Sequence, residues 1–122
     1  MVVLAADAQR GVSQVDQIFA ALADPTRRSA VDLLRRRPHR AGELAAALTL
    51  RPAAMSRHLR VLRRSGLVVE GGLEEDARVR VYRLRPERFS ELRQWLDELE
   101  TSWSIELEAF KAHAEGRGRR RR

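Results

Sequence analysis

Apolar residues recur along this chain with two different periods. Val15, Ile18, Phe19 and Leu22 stand at i, i+3, i+4 and i+7, the spacing of one helix face. Asp24-Pro25 closes that run and opens the next, because Asp caps free N–H groups and proline is tolerated at the first helical position. Ala30, Val31, Leu33 and Leu34 form the inner side of a second helix over roughly 25–36, and Pro38 ends it. Leu44, Ala45 and Leu48 predict a third helix at about 41–48, with Thr49-Leu50-Arg51 as a turn. Pro52 then stands at N1 of a fourth helix, and Gly66 follows its end as the C′ residue. From there the period shortens. Leu67-Val68-Val69 and the alternating RVRVYRL of residues 78–84 are β-rich. Gly71-Gly72 and a polar EEDA segment lie between them, so they predict an antiparallel hairpin with a loop of several residues. Pro86 opens a long last helix striped by Leu92, Leu96, Leu99, Trp103 and Phe110, with Trp95 and Leu107 beside the stripe.

This order is helix, helix, helix-turn-helix, hairpin, helix: a mainly α fold, a winged helix-turn-helix with a two-stranded wing and a helix added at each end. A folded domain is expected over 14–115, between a flexible segment 1–13 and a basic, disordered tail 116–122.

The fourth helix has two unlike faces. At about 100° per residue, Met55, Leu59 and Leu62 share a narrow apolar stripe, while Ala53, Arg57, Arg60 and Arg64 fall on the other side. Between Leu44 and Val69 there are five arginines and no acid. Such a surface suits nucleic-acid phosphates. In a helix-turn-helix the second helix enters the major groove with its first turns nearest the bases. Ala53 or Ala54 is then placed to touch a thymine methyl, and Arg57 to reach guanine O6 and N7. Ser56, His58 and Arg60, with Arg51, Arg63 and Arg64, are better placed for phosphates, which set affinity and register but not sequence choice. In the hairpin, Arg78 and Arg80 alternate with Val79 and Val81, so one strand face carries two arginines suited to a wing that lies along the DNA backbone or dips into a minor groove.

Composition narrows the alternatives. The chain has 122 residues, 43% hydrophobic and 34% charged, which fits one ordinary globular domain. With no cysteine, disulfides and thiolate metal sites are excluded. No stretch approaches the ~20 apolar residues of a membrane span, and the N-terminal MVVLAADAQRGVS lacks the basic start of a signal peptide, so a cytoplasmic location is expected. The net charge is +7, but the tail 117–122 holds five arginines. Residues 86–115 carry eight acids against three bases. A basic middle and an acidic final helix imply two surfaces with two tasks: the first for nucleic acid, the second for facing away or pairing with protein.

FAALADPTRR, a Leu-Leu helix, GELAAAL, MSRHLRVLRRSGLV and a wing ending VYRL occur in this order over roughly residues 14–112. Together they resemble the ArsR family of bacterial transcriptional regulators. The resemblance implies a homodimeric repressor that leaves its operator when a signal arrives, with its first and last helices forming the dimer interface. Val15, Ile18, Phe19, Leu92, Trp95, Leu96, Leu99, Trp103 and Phe110 are the interface residues it implies here. The departures are as informative. Arsenic-sensing members carry cysteines in the helix before the turn, where this chain has Ala45 and Ala47. Zinc-sensing members use an Asp-x-His and a later His-x-x-Glu/His on the last helix; here Asp97 is followed by Leu99, and the later pair is Phe110 and His113. No metal and no cofactor is therefore expected. Arg51 stands where relatives often have a serine, and Glu74-Glu75-Asp76 make acidic a wing tip that is basic in many relatives, which weighs against its deep insertion.

His39, after Pro38, reads as a solvated loop residue, and His113 as a cation at a helix terminus. No nucleophile, phosphate loop or paired-carboxylate arrangement stands out, so no enzyme is expected. The expected partner is double-stranded DNA bearing an inverted-repeat operator. The rival reading is a winged helix serving as a protein-interaction module without a specific operator. RNA is disfavoured, since its deep major groove excludes a helix and no aromatic stacking platform is visible. The inducing signal is left open among a small organic molecule, a partner protein and autoregulation.

Overall fold

The computed structural model describes residues 14–120, with side chains through residue 116; the segment expected to be flexible, 1–13, lies outside them. Helix α1 covers residues 14–22. It is followed by α2 (Pro25–Arg36), α3 (Ala41–Ala47), α4 (Pro52–Arg64), strands β1 (Val68–Gly72) and β2 (Arg80–Leu84), and α5 (Pro86–Arg120). The described residues form two compact units, one ending at Ser90 and the other starting at Glu91.

The corner between α1 and α2 is built by capping. Asp24 takes extended backbone and accepts a hydrogen bond from the Arg27 N–H at 3.1 Å, with Pro25 at N1. The guanidinium of Arg27 donates back to the Ala20 and Ala21 carbonyls, and that of Arg28 to Leu22 and Ala23. Those carbonyls belong to the last turn of α1 and the residue after it, whose acceptors the helix itself leaves open. The DPTRR run thus closes one helix and starts the next.

α3 begins with Glu43 accepting from the backbone N–H of Arg40 at 3.1 Å. Thr49 adopts φ 55, which turns the chain sharply before α4. Buried Leu44 and Ala45 of α3 and Met55, Leu59 and Leu62 of α4 join Ala30, Leu34, Leu67 and Val81 in the core. α2 packs against β2 and α4, and α3 against α4. α4 ends with Ser65 Oγ donating to the Leu62 carbonyl at 2.8 Å and Gly66 at φ 79, the left-handed residue that commonly terminates a helix.

β1 and β2 pair antiparallel in the register Val68–Leu84, Glu70–Tyr82 and Gly72–Arg80. The hairpin starts later on its second arm than the sequence predicts. Arg78 lies in the connecting loop, where Asp76 accepts from its backbone N–H at 3.0 Å, so it does not share a strand face with Arg80. Gly72 is required there: a Cβ would stand 2.7 Å from the Ala77 carbonyl oxygen.

His39 is also corrected. It is 7% exposed rather than solvated. Its backbone exchanges both hydrogen bonds with Tyr82, at 3.2 and 2.7 Å, and its Nδ1 lies 2.8 Å from the Arg37 carbonyl oxygen. His39, two residues before α3, therefore adds one bridge to the hairpin, a long-range pairing that no local pattern announces. His113 is no helix-terminal residue either, because α5 continues as helix to Arg120. That continuation includes residues 116–120 of the segment expected to be a disordered tail, while Arg121 and Arg122 lie outside the described residues. No helix among the described residues is long and apolar enough to cross a membrane.

Candidate nucleic-acid interface

The two faces of α4 are as its sequence predicts. Met55, Leu59 and Leu62 are buried to within about 1%, while Arg57, Arg60 and Arg64 are exposed on the opposite side with Ala53 and Ser56. Packing on one face fixes which way the other points. Arg51 and Pro52 are exposed at the start of the helix, and Ala54 and His58 are half-buried at its edge. Small residues at the first turn leave room for a groove wall to come close to the backbone.

Val61 is missing from the sequence-based site. It is 37% exposed and shares the row of Arg57 and Arg64 at i+4 and i+3 spacing. An apolar side chain on the polar face of an amphipathic helix was the available signal.

His58 is tied inward. Its Nδ1 lies 3.4 Å from Nη1 of Arg27, the residue that caps α1. Arg27 thereby links the α1–α2 corner to the edge of α4. Its place in DPTRR was visible in the sequence, but its partners, 31 residues away in the case of His58, were not.

The end of α4 meets the wing through Glu70. Arg63 Nη1 lies 3.1 Å from Glu70 Oε2, and Arg80 Nε lies 3.4 Å from Glu70 Oε1. Tyr82 stands opposite Glu70 in the hairpin. Its hydroxyl is held above the ordinary tyrosine range, first by burial and next by the Glu70 carboxylate. Of the expected DNA-facing arginines, Arg57, Arg60 and Arg64 therefore form the exposed helix row, whereas Arg63 and Arg80 share a carboxylate and Arg78 is engaged by Asp76 at 3.2 Å. The stretch without acids ends at Glu70, which the hairpin register brings beside Arg80 and the packing of α4 on β1 brings beside Arg63.

The residues expected at a dimer interface divide as well. Ile18 is fully buried in the single chain. Phe19, Trp95, Leu96, Leu99, Trp103 and Phe110 are exposed, Trp103 by 60% and Phe110 by 73%. Leu96, Leu99 and Trp103 line a shallow apolar groove with Glu100.

Residues 24–69, from the α2 cap to the first strand, match the pattern of the bacterial regulatory proteins of the arsR family. Over 82 residues the chain is 40% identical to the HTH-type transcriptional regulator Rv2034 of Mycobacterium tuberculosis, covering 67% of this chain and 74% of that protein. The chain belongs to the ArsR family. The crystal structure of an ArsR family transcriptional regulator superposes with a TM-score of 0.67 at 33% identity, covering 75% of this chain and 92% of that one. An ArsR-like transcriptional regulator from Rhodococcus sp. RHA1 gives 0.71 at 27% identity, covering 82% and 92%. This ArsR-family protein is accordingly a DNA-binding transcriptional regulator with a winged helix-turn-helix fold, and not an enzyme.

Proposed function

We propose that this ArsR-family regulator is a homodimeric repressor that binds an imperfect inverted-repeat operator without a metal signal. The observation that carries the reading is the solvent-facing row of Arg57, Arg60 and Arg64 on a helix whose other face is locked into the core. Each subunit inserts α4 into the major groove of one half-site. Arg57 reads a guanine, Ala53, Ala54 and Val61 offer methyl contacts to thymine, and Arg51, Ser56, His58, Arg60 and Arg64 bind phosphates. Two-fold symmetry then sets half-site centres about one helical turn apart, ~10 bp, or a small multiple of it.

Dimerisation is supported by the apolar row along α5, since a contiguous exposed apolar surface of this kind marks an interaction site. Val15 and Phe19 of α1 join that interface, with Ile18 serving the core beneath. Residues 14–115 act as one DNA-binding and dimerisation domain, working in the cytoplasm where the operator is. The absence of metal sensing is supported by Ala45, Ala47, Leu99 and Phe110 at positions where metal-sensing relatives carry ligands.

The test is a titration of the chain with its gene's own upstream region and with a scrambled duplex of equal length, at matched salt. Preference for the upstream region supports the operator reading. Equal affinity for both favours the rival, a protein-interaction module.

A further inference from the structure

We propose that Glu70 is a specificity-determining residue: it holds Arg63 of the recognition helix and Arg80 of the wing to itself and so restrains sequence-blind attraction to DNA. The proposal rests on the reading that α4 and the wing bind an operator, but not on the dimer.

Four observations carry it. Glu70 is the first acid after Glu43, and the residues between the two include five arginines. Its carboxylate lies within ion-pair distance of two guanidiniums from different elements, 3.1 Å from Arg63 and 3.4 Å from Arg80. The Glu70 side chain is only 24% exposed, while those of Arg63 and Arg80 are 53% and 57% exposed, so the acid is sheltered and the bases are accessible to a phosphate. The register places Glu70 and Tyr82 directly opposite, with Arg80 at the diagonal position on the same strand face.

A carboxylate between two guanidiniums does two things. It lowers the local charge from +2 to +1, which weakens attraction to any phosphate. It also fixes two long side chains before DNA arrives, which reduces the entropy lost when they engage. A sequence-blind complex is held by loose phosphate contacts, so it gains most when the arginines are released. An operator complex is already seated by base contacts from the start of α4, and it benefits from arginines held at a fixed spacing. Removing the carboxylate should therefore raise random-DNA affinity more than operator affinity.

The experiment titrates a short random-sequence duplex and the upstream region with the full chain between about 50 and 200 mM salt. Glu70→Gln should bind random duplex more tightly than wild type, with a salt slope steeper by about one unit. Its advantage should shrink about threefold across that range, and the ratio of upstream to random affinity should fall by a similar factor. Glu74→Gln removes the same charge at the exposed wing tip and should leave the ratio unchanged. Should Glu70→Gln not fold, as judged by its helical circular dichroism, the wild-type background still decides. Arg63→Gln should flatten the random-duplex salt slope less than Arg60→Gln, because only Arg63 has its charge shared. The proposal is overturned if Glu70→Gln leaves the slope and ratio unchanged, if Glu74→Gln reproduces its effect, or if Arg63→Gln and Arg60→Gln flatten the slope equally. The random-duplex salt slope needs no operator, so a wild type that fails to prefer the upstream region while Glu70→Gln still steepens that slope would count against the operator reading and not against the restraint of Arg63 and Arg80 by Glu70.

Discussion

Single side chains divide here between those proposed to address DNA and those that hold the frame behind them. Arg27 belongs to the frame: it closes α1 through the Ala20 and Ala21 carbonyls and reaches His58. Arg27→Ala leaves those carbonyls to solvent and should lower stability by about 2 kcal/mol, the scale of a charged hydrogen bond, read by urea unfolding. Two carboxyls add a pH dependence. Asp24 is held below the ordinary carboxylate range chiefly by the Arg27 backbone N–H, and Glu43 chiefly by that of Arg40 and then by the Arg37 side chain. A carboxyl lowered in the folded state contributes its stability above its unfolded value, and that contribution is lost as pH falls through the folded value. The melting temperature should therefore drop in acid, and the Asp24→Asn, Glu43→Gln double variant should show a shallower drop between about pH 6 and pH 3. The cap at Asp24 can be read directly from the sequence, because a cap is a local relation between Asp, Pro and the N–H groups that follow. The partners of Arg27 and Glu70 cannot, because each is set by how separate elements pack together.

At the scale of elements, α4 is the most legible. Its period, its proline start and its glycine end all lie within one segment, so spacing alone assigns Met55, Leu59 and Leu62 to the core. Gly66 gives the matching test. It holds φ 79, and a Cβ there would collide with the guanidinium of Arg88. Gly66→Ala should cost about 1–2 kcal/mol from the left-handed backbone alone, measured by urea unfolding. It should also weaken binding to all duplexes alike, because it disturbs the end of α4 rather than the start, where base reading is proposed. The wing is less legible. Alternation of Arg78, Val79, Arg80 and Val81 suggests one continuous strand, yet Asp76 accepts from the backbone of Arg78 and turns the chain before Arg80. A short side chain that bonds backbone two residues on competes with strand pairing, and that competition outweighs the alternation. The bridge from His39 to Tyr82 is hidden for a related reason: a single pairing residue leaves no period to detect.

For the whole molecule, the acidic charge and apolar row of α5 are visible in the sequence, and so is their separation along the chain from the arginines of α4. Leu92, Leu96, Leu99, Trp103 and Phe110 recur in steps of about one or two helical turns, a spacing that suits helix-on-helix packing. Light scattering at micromolar concentration should give twice the mass of one chain, and the double variant Leu99→Asp, Trp103→Asp should shift it to a single chain while α4 keeps its fold. A stable wild-type monomer would rule out the dimer. The central claim is that the arginine row of α4 chooses among DNA sequences. It is tested most directly by titrating wild type and Arg57→Ala with the upstream region and with a scrambled duplex near physiological salt. Wild type should prefer the upstream region, and Arg57→Ala should lose ~1–3 kcal/mol of that binding with little change on the scrambled duplex. Equal affinity of wild type for both duplexes, or an Arg57→Ala variant that keeps the full preference, would contradict it.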